Sequence, residues 1–187
     1  MDLLNIFSAF GLSASAGLNA YIPLLIVSLV GRFAPNLLKL NPPWDVMTSW
    51  WIIGLLIVLC LIEFFADKIP VVDTINDGIQ TFIRPAAGAI LFASSAHVIT
   101  DVQPILSLAL GLFIAGGVHA VKATARPVVT ATTAGTANVA VSAAEDALST
   151  VLSILSVVMP VVVACVLVII TAFIVLRMIR RSSPSKV

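Results

Sequence analysis

Long apolar runs broken by short polar clusters set the pattern of this chain. Several stretches of roughly 17–22 residues carry little or no charge, the length needed to cross about 30 Å of hydrocarbon. Six such spans fit: 10–30, 47–66, 85–100, 102–121, 142–158 and 161–179. The third and fourth meet at Asp101 and the last two at Met159-Pro160, which predicts tight antiparallel hairpins. The expected fold is an all-α, polytopic transmembrane bundle forming a single membrane domain.

A second pattern lies over the first. Pro70, Pro127 and Pro184 stand 57 residues apart, and the first two open the triplet Pro-Val-Val. Such a period suggests one unit used three times. The chain then reads as three tandem helical hairpins, with units near 1–69, 70–126 and 127–187. The link after Pro70 places Val72, Ile75, Ile79, Phe82 and Ile83 at helical spacing, with Asp73, Asp77, Gln80 and Arg84 opposite. This predicts a short amphipathic helix at the membrane interface. The second link, 130–138, is small, hydroxylated and poorly helical. It reads as a loop or as a segment dipping in to line a cavity.

Composition strengthens the membrane reading. Sixty per cent of the 187 residues are hydrophobic and 10% are charged, against about 45–50% and about 25% in soluble domains. The N-terminus lacks the basic region of a signal peptide and reads as mature sequence. Net charge is +1, which argues against a nucleic-acid partner. The lipid bilayer is the expected partner, together with a small solute or ion. With six spans, eight of the ten Lys and Arg residues fall on the side of both termini and only Arg32 and Lys39 opposite. The bias of basic residues toward the cytoplasm then predicts N-in, C-in.

Polar residues inside the apolar runs are the candidate site, because they are costly to place in lipid. Proline at position 23 has no N–H for the carbonyl of Asn19, which predicts a freed oxygen beside a carboxamide near the middle of the first span. Broken helices of this kind build binding sites in transporters; a kink satisfied by a neighbouring hydroxyl is the plainer reading. Glu63 and Asp67 share a face at the end of the second span. His119, Lys122 and Arg126 follow at i, i+3, i+7 spacing, and Arg177 ends the sixth span. These residues suit a cytoplasmic gate or an ion-paired lock. Glu145 and Asp146 are adjacent acids, and only 12 residues separate them from the end of the fifth span. That helix must start earlier, or be a half-helix. His97, near Ser94, Ser95 and Thr100, completes the candidate binding set of Asn19, Pro23, Glu63, Asp67, His97, Glu145 and Asp146.

No metal or cofactor is expected. Cys60 and Cys165 sit alone in apolar runs and read as buried thiols, and no metal-binding histidine motif occurs. No nucleotide-binding loop or catalytic triad order is present either, so nothing makes a case for an enzyme.

Three stretches carry a resemblance: Ser15-Ala-Gly-Leu-Asn-Ala-Tyr-Ile-Pro-Leu-Leu25, Glu63-Phe-Phe-Ala-Asp-Lys-Ile-Pro-Val-Val-Asp73, and Lys122-Ala-Thr-Ala-Arg-Pro127 through Glu145-Asp-Ala147. Together they resemble a bacterial inner-membrane family known as domain of unknown function 4126, across nearly the whole chain. The resemblance implies a small multi-pass protein of the inner membrane and brings no activity with it. The expected function is a secondary transporter or channel for a small solute or ion; the alternative is a non-transporting scaffold or lipid-binding subunit.

Overall fold

The computed structural model describes residues 2–66, 70–96, 101, 103–133, 135–166, 168–169, 173 and 177. Among them every regular element is helical. The main helices are α1 (Asp2–Leu18), α2 (Tyr21–Phe33), α3 (Trp50–Ala66), α4 (Pro70–Ser95), α5 (Pro104–Thr133) and α6 (Asn138–Val158). A 3-10 segment, Trp44–Thr48, precedes α3, and residues 160–166 are helical after a break at Met159. Two helices, α5 and α6, are long and apolar enough to cross a membrane, and most of each apolar stretch lies on the outside of the bundle.

The first expected span is two helices. Asn19 and Ala20 interrupt it, and the Asn19 side-chain oxygen accepts the backbone N–H groups of Tyr21 and Ile22, both at 3.0 Å. That is an N-cap: it satisfies two donors that have no partner within their own helix. Pro23 follows in the first turn of α2 and is buried. The break thus lies one turn ahead of the proline that cannot continue the ladder.

Two links differ from expectation. The amphipathic segment after Pro70 is no separate interfacial helix, because α4 runs unbroken from Pro70 to Ser95 through Pro85. Its faces are also reversed: Gln80 and Arg84 are 1% and 0% exposed, while Phe82 is 80% exposed. The polar face is turned inward because charged partners on neighbouring helices await it there. The second link is helical as far as Thr133, and residues 135–137 form a turn. Thr130, Thr132 and Thr133 return their hydroxyls to the carbonyls of Arg126, Val128 and Val129, which leaves no unsatisfied hydroxyl to oppose the helix. Gly135 takes φ +81°, the left-handed conformation that favours glycine, and turns the chain into α6. The two Pro-Val-Val triplets consequently have different settings: Pro70 opens α4, whereas Pro127 lies inside α5.

Close packing of α1, α4 and α5 depends on small residues. A Cβ on Gly111 would meet the Gly88 carbonyl oxygen, and one on Gly17 would lie 2.6 Å from the Ala115 carbonyl oxygen. The Ser13 hydroxyl donates to the Gly88 carbonyl at 3.0 Å. Such contacts bring backbones together in the manner of small-xxx-small helix pairs.

The interior mixes an apolar core with many polar residues, and the exterior is apolar. Eleven of the eighteen buried polar or charged residues are serines, seven of them on α1 and α6. Ser15 bonds both Ser149, at 2.9 Å, and Ser153 across the α1–α6 contact. Outside, Trp50, Trp51, Leu55, Ile62, Phe65 and Phe113 are exposed. Buried polar groups together with exposed large apolar ones are the informative departures from a water-soluble bundle. Of the two thiols, Cys60 is half-buried and Cys165 exposed.

Candidate functional site

Charged residues from four helices converge where α1 breaks into α2. α3 contributes Glu63, its only charged side chain, buried near the helix end. α4 contributes Asp77 and Arg84, two turns apart on one face. α5 presents His119, Lys122 and Arg126 on a buried stripe that begins with Ser107, Gly111 and Ala115. α6 starts at Asn138 and so carries Glu145 and Asp146 within it, the first of the two arrangements its length allowed.

These groups form a chain of alternating charge. Arg84 donates from Nη2 to Glu63 Oε1 at 3.1 Å and from Nη1 to His119 Nδ1 at 3.1 Å. Asp77 lies 3.8 Å from Arg84 through Oδ1 and 2.7 Å from Arg126 through Oδ2. Arg126 continues to Glu145 at 3.2 Å and to the Ser142 hydroxyl at 3.4 Å. Glu145 also holds Lys122 at 2.8 Å. Lys122 in turn donates to the Leu18 carbonyl at 3.1 Å, at the end of α1. Beside it, the Asn19 amide donates to Asp146 Oδ1 at 2.9 Å.

The helix break is therefore gripped from both sides. A lysine ammonium meets the negative end of α1, and the Asn19 carboxamide caps the positive end of α2 while it is held by a carboxylate. Both contacts have the sign that the helix dipoles favour. The freed carbonyl seen to be held is that of Leu18, one residue before the position that Pro23 indicates.

Asn19, Glu145 and Asp146 come together with Lys122 and Arg126. Glu63 belongs to the other end of the chain, on Arg84 and not on Asn19. His119 lies between, bonded to Arg84 and, through Nε2, to Thr81 at 3.1 Å. Arg177 is exposed and is not part of the network, while Asp67 and His97 lie outside the described residues. Arg84 and Asp77 are the members that sequence reasoning missed. Their signal was present: Asp77, Gln80 and Arg84 repeat the i, i+3, i+7 spacing of His119, Lys122 and Arg126, and each set ends in Arg-Pro.

Depth follows from helix geometry. Trp50 and Glu63 are 13 residues apart on α3, about 20 Å along the axis. Trp50 and Trp51 stand at the far end, where Arg32 lies 4.2 Å over the Trp50 ring and donates to the Thr48 carbonyl at 2.8 Å. Aromatic residues beside a snorkelling cation are typical of a membrane–water boundary.

Chemically, the arrangement offers several of its charged groups more than one partner. Arg84, Asp77, Arg126 and Glu145 each touch two or more charged or polar groups, so one contact can loosen while another forms. Among the described residues no group of three or more His, Cys, Asp or Glu is placed to hold a metal ion. The chain has no significant match among curated proteins or among solved structures. A family model described as "Domain of unknown function (DUF4126)" does match, over residues 6–181, and the chain belongs to that family.

Proposed function

We propose that this is a multi-pass protein of the inner membrane that moves a small solute or ion past the helix break at Asn19. The observation that carries the reading is the break itself, with Lys122 on its carbonyl end and Asn19–Asp146 on its amide end. Interrupted helices offer unpaired carbonyls and amides at depth, and transporters use such ends to bind their cargo. In the present arrangement the protein's own side chains occupy both ends, which is what a closed state requires. A bilayer setting is supported by the serine-lined interior beneath an apolar exterior.

Orientation follows on a reduced count. Arg84, Lys122 and Arg126 are buried in the network and cannot serve as loop charges. Lys68, Arg177, Arg180, Arg181 and Lys186 then stand against Arg32 and Lys39, five to two. N-in, C-in keeps its support, from fewer residues.

A second reading is that the network is a static lock in a scaffold, favoured by the pairing of each cation with a carboxylate. Its lipid-gripping form is weakened, because Gln80 and Arg84 are turned away from any headgroup. Thiol accessibility separates the two. In a Cys60→Ser, Cys165→Ser background, Ala20→Cys at the break and Ser142→Cys beside Arg126 are treated with a membrane-impermeant reagent from each side of vesicles. Transport requires both positions, though buried here, to be modified in some state of the cycle. If both stay inert from both sides in folded protein, the lock reading replaces transport.

A further inference from the structure

His119 is held by two neighbours whose chemistry fixes where its proton sits. A guanidinium has donors only. Arg84 Nη1, 3.1 Å away, must therefore donate to His119 Nδ1, which offers a lone pair. A neutral imidazole carries one N–H, so it is on Nε2, which faces the Thr81 hydroxyl oxygen at 3.1 Å. Thr81 can accept because its own proton goes to the Asp77 carbonyl at 2.9 Å. The partners thus select the neutral Nε2–H tautomer.

Arg84 Nη1 has a second acceptor within reach. Asp77 Oδ1 lies 3.8 Å from it and is buried without a hydrogen-bond partner among the described residues. The other oxygen of that carboxylate is already taken by Arg126 at 2.7 Å. A buried acceptor left without a hydrogen bond is costly, and one small rotation of the guanidinium would supply it.

We propose that His119 Nδ1 is a proton-binding site, and that proton uptake there moves Arg84 from His119 onto Asp77. With a proton on Nδ1, two N–H donors would face each other at hydrogen-bond distance, one on each of two cations. Arg84 keeps Glu63 through Nη2 and turns Nη1 to Asp77. Asp77 is then shared between two arginines, and Arg126 shifts its weight toward Glu145 and Ser142. Glu145 is also the carboxylate that holds Lys122 on the Leu18 carbonyl. A proton on α5 is relayed in this way to the helix break.

The charges around His119 act in both directions, the Asp77 carboxylate favouring a proton there and Arg84, Lys122 and Arg126 opposing it. Glu63 on α3, Asp77 and Arg84 on α4, Lys122 and Arg126 on its own helix, and Glu145 and Asp146 on α6 make up the network. Four carboxylates meet three fixed cations, so a neutral His119 leaves one negative charge in excess and its protonation balances the set. As the coupling ion of a transporter, the proton rests on the reading of the helix break given above. The exchange of partners at Arg84 does not.

The test uses the full-length protein, labelled with 15N-histidine, in lipid nanodiscs. The chain has two histidines, and His119→Gln identifies the His119 signals by their loss. At high pH the expected spectrum shows unprotonated Nδ1 and protonated Nε2, converting to imidazolium as the pH is lowered. Asp77→Asn, which removes the receiving oxygen's charge, should lower His119's proton affinity about tenfold, about one pH unit. Glu145→Gln removes the same charge from α6, leaves the Asp77 carboxylate in place and should shift it less. The Nδ1–H tautomer at high pH, a ring that stays neutral throughout, or equal shifts in the two variants would each overturn the proposal. Both wild-type readings stand without any variant. A protein that titrates as described but leaves both engineered thiols inert would overturn transport alone.

Discussion

Two arginines, at opposite ends of the bundle, show how position sets the terms on which a charge is held. Arg32 is exposed beside Trp50, with one backbone carbonyl as its hydrogen-bond acceptor. Arg84 is 0% exposed and meets a carboxylate, an imidazole and a second carboxylate. At a boundary, water finishes the solvation of a cation, and a ring face with one carbonyl is enough. In the interior nothing else can do so. Each buried charge then needs a partner, and each partner needs another, until the chain of contacts crosses the bundle. The extent of the network follows from its depth.

The largest effect should come from breaking that interior chain. Arg84→Met strips the guanidinium from Glu63 and His119 and should cost about 3–5 kcal/mol, the usual penalty for removing one member of a buried pair. Thermal unfolding in detergent would show it. Adding Glu63→Gln to the same chain should recover most of the loss, because the charge left behind is gone. Without that recovery, Arg84 is held by packing and the contrast with Arg32 loses its basis.

Next comes the packing that carries the network. Gly111→Val places branched carbon against the Gly88 carbonyl, where even one Cβ collides. Overpacking of this kind costs about 1–3 kcal/mol. Its signature would be a lower melting temperature with α4 and α5 pushed apart, read as a longer distance between spin labels on exposed Phe82 and Val121. An unchanged distance would mean that the glycines are incidental to the approach of the two helices.

Much of this was legible in the sequence, and the failures have physical causes. The helix break was readable because asparagine and proline act locally: one caps, the other withholds an N–H, and five residues contain both. Length alone narrowed α6 to an early start or a half-helix, and the structure has the early start. Arg84 was misplaced because hydrophobic periodicity reports that a helix has two faces without saying which one meets lipid. In water the apolar face of the 70–84 segment would turn inward; here Phe82 points out and Arg84 in. The threonines of 130–133 were read through their low propensity, which back-bonding to helix carbonyls overrode. Which acid pairs with which base was not readable at all. Glu63 and Arg84 are 21 residues apart, Asn19 and Asp146 are 127 apart, and only the packing of whole helices decides such pairs.

At the break, Asn19→Ala removes the cap on Tyr21 and Ile22 together with the bond to Asp146. A lost N-cap costs about 0.5–2 kcal/mol, so the variant should fold, with a modest fall in melting temperature. Faster hydrogen exchange at Tyr21 and Ile22 than at the centre of α2 would place the damage at the cap. Asn19→Asp preserves the capping oxygen but sets a carboxylate against Asp146. It should restore protection at Tyr21 and Ile22 only when the pH is low enough to neutralise one of the two acids. Equal exchange in all three proteins would mean that Asn19 does not hold the break open.

The smallest effect belongs to the boundary. Arg32→Gln loses the ring contact and the guanidinium bond to the Thr48 carbonyl, yet water can reach that carbonyl. An exposed cation–π contact is worth about 0.5–1 kcal/mol, so melting should fall by about 1–4 °C. Arg32→Lys tests what the position asks for. Lysine keeps the charge and can still reach the ring, but lacks the planar fork that stacks on Trp50 while donating to Thr48. If the site needs only a cation near the headgroups, Lys will match the wild type in stability and Gln will not. If Lys falls as far as Gln, the fork is holding the 3-10 segment against α2, and Arg32 is then a structural residue as Arg84 is. That result would move the division between the two arginines from depth to geometry.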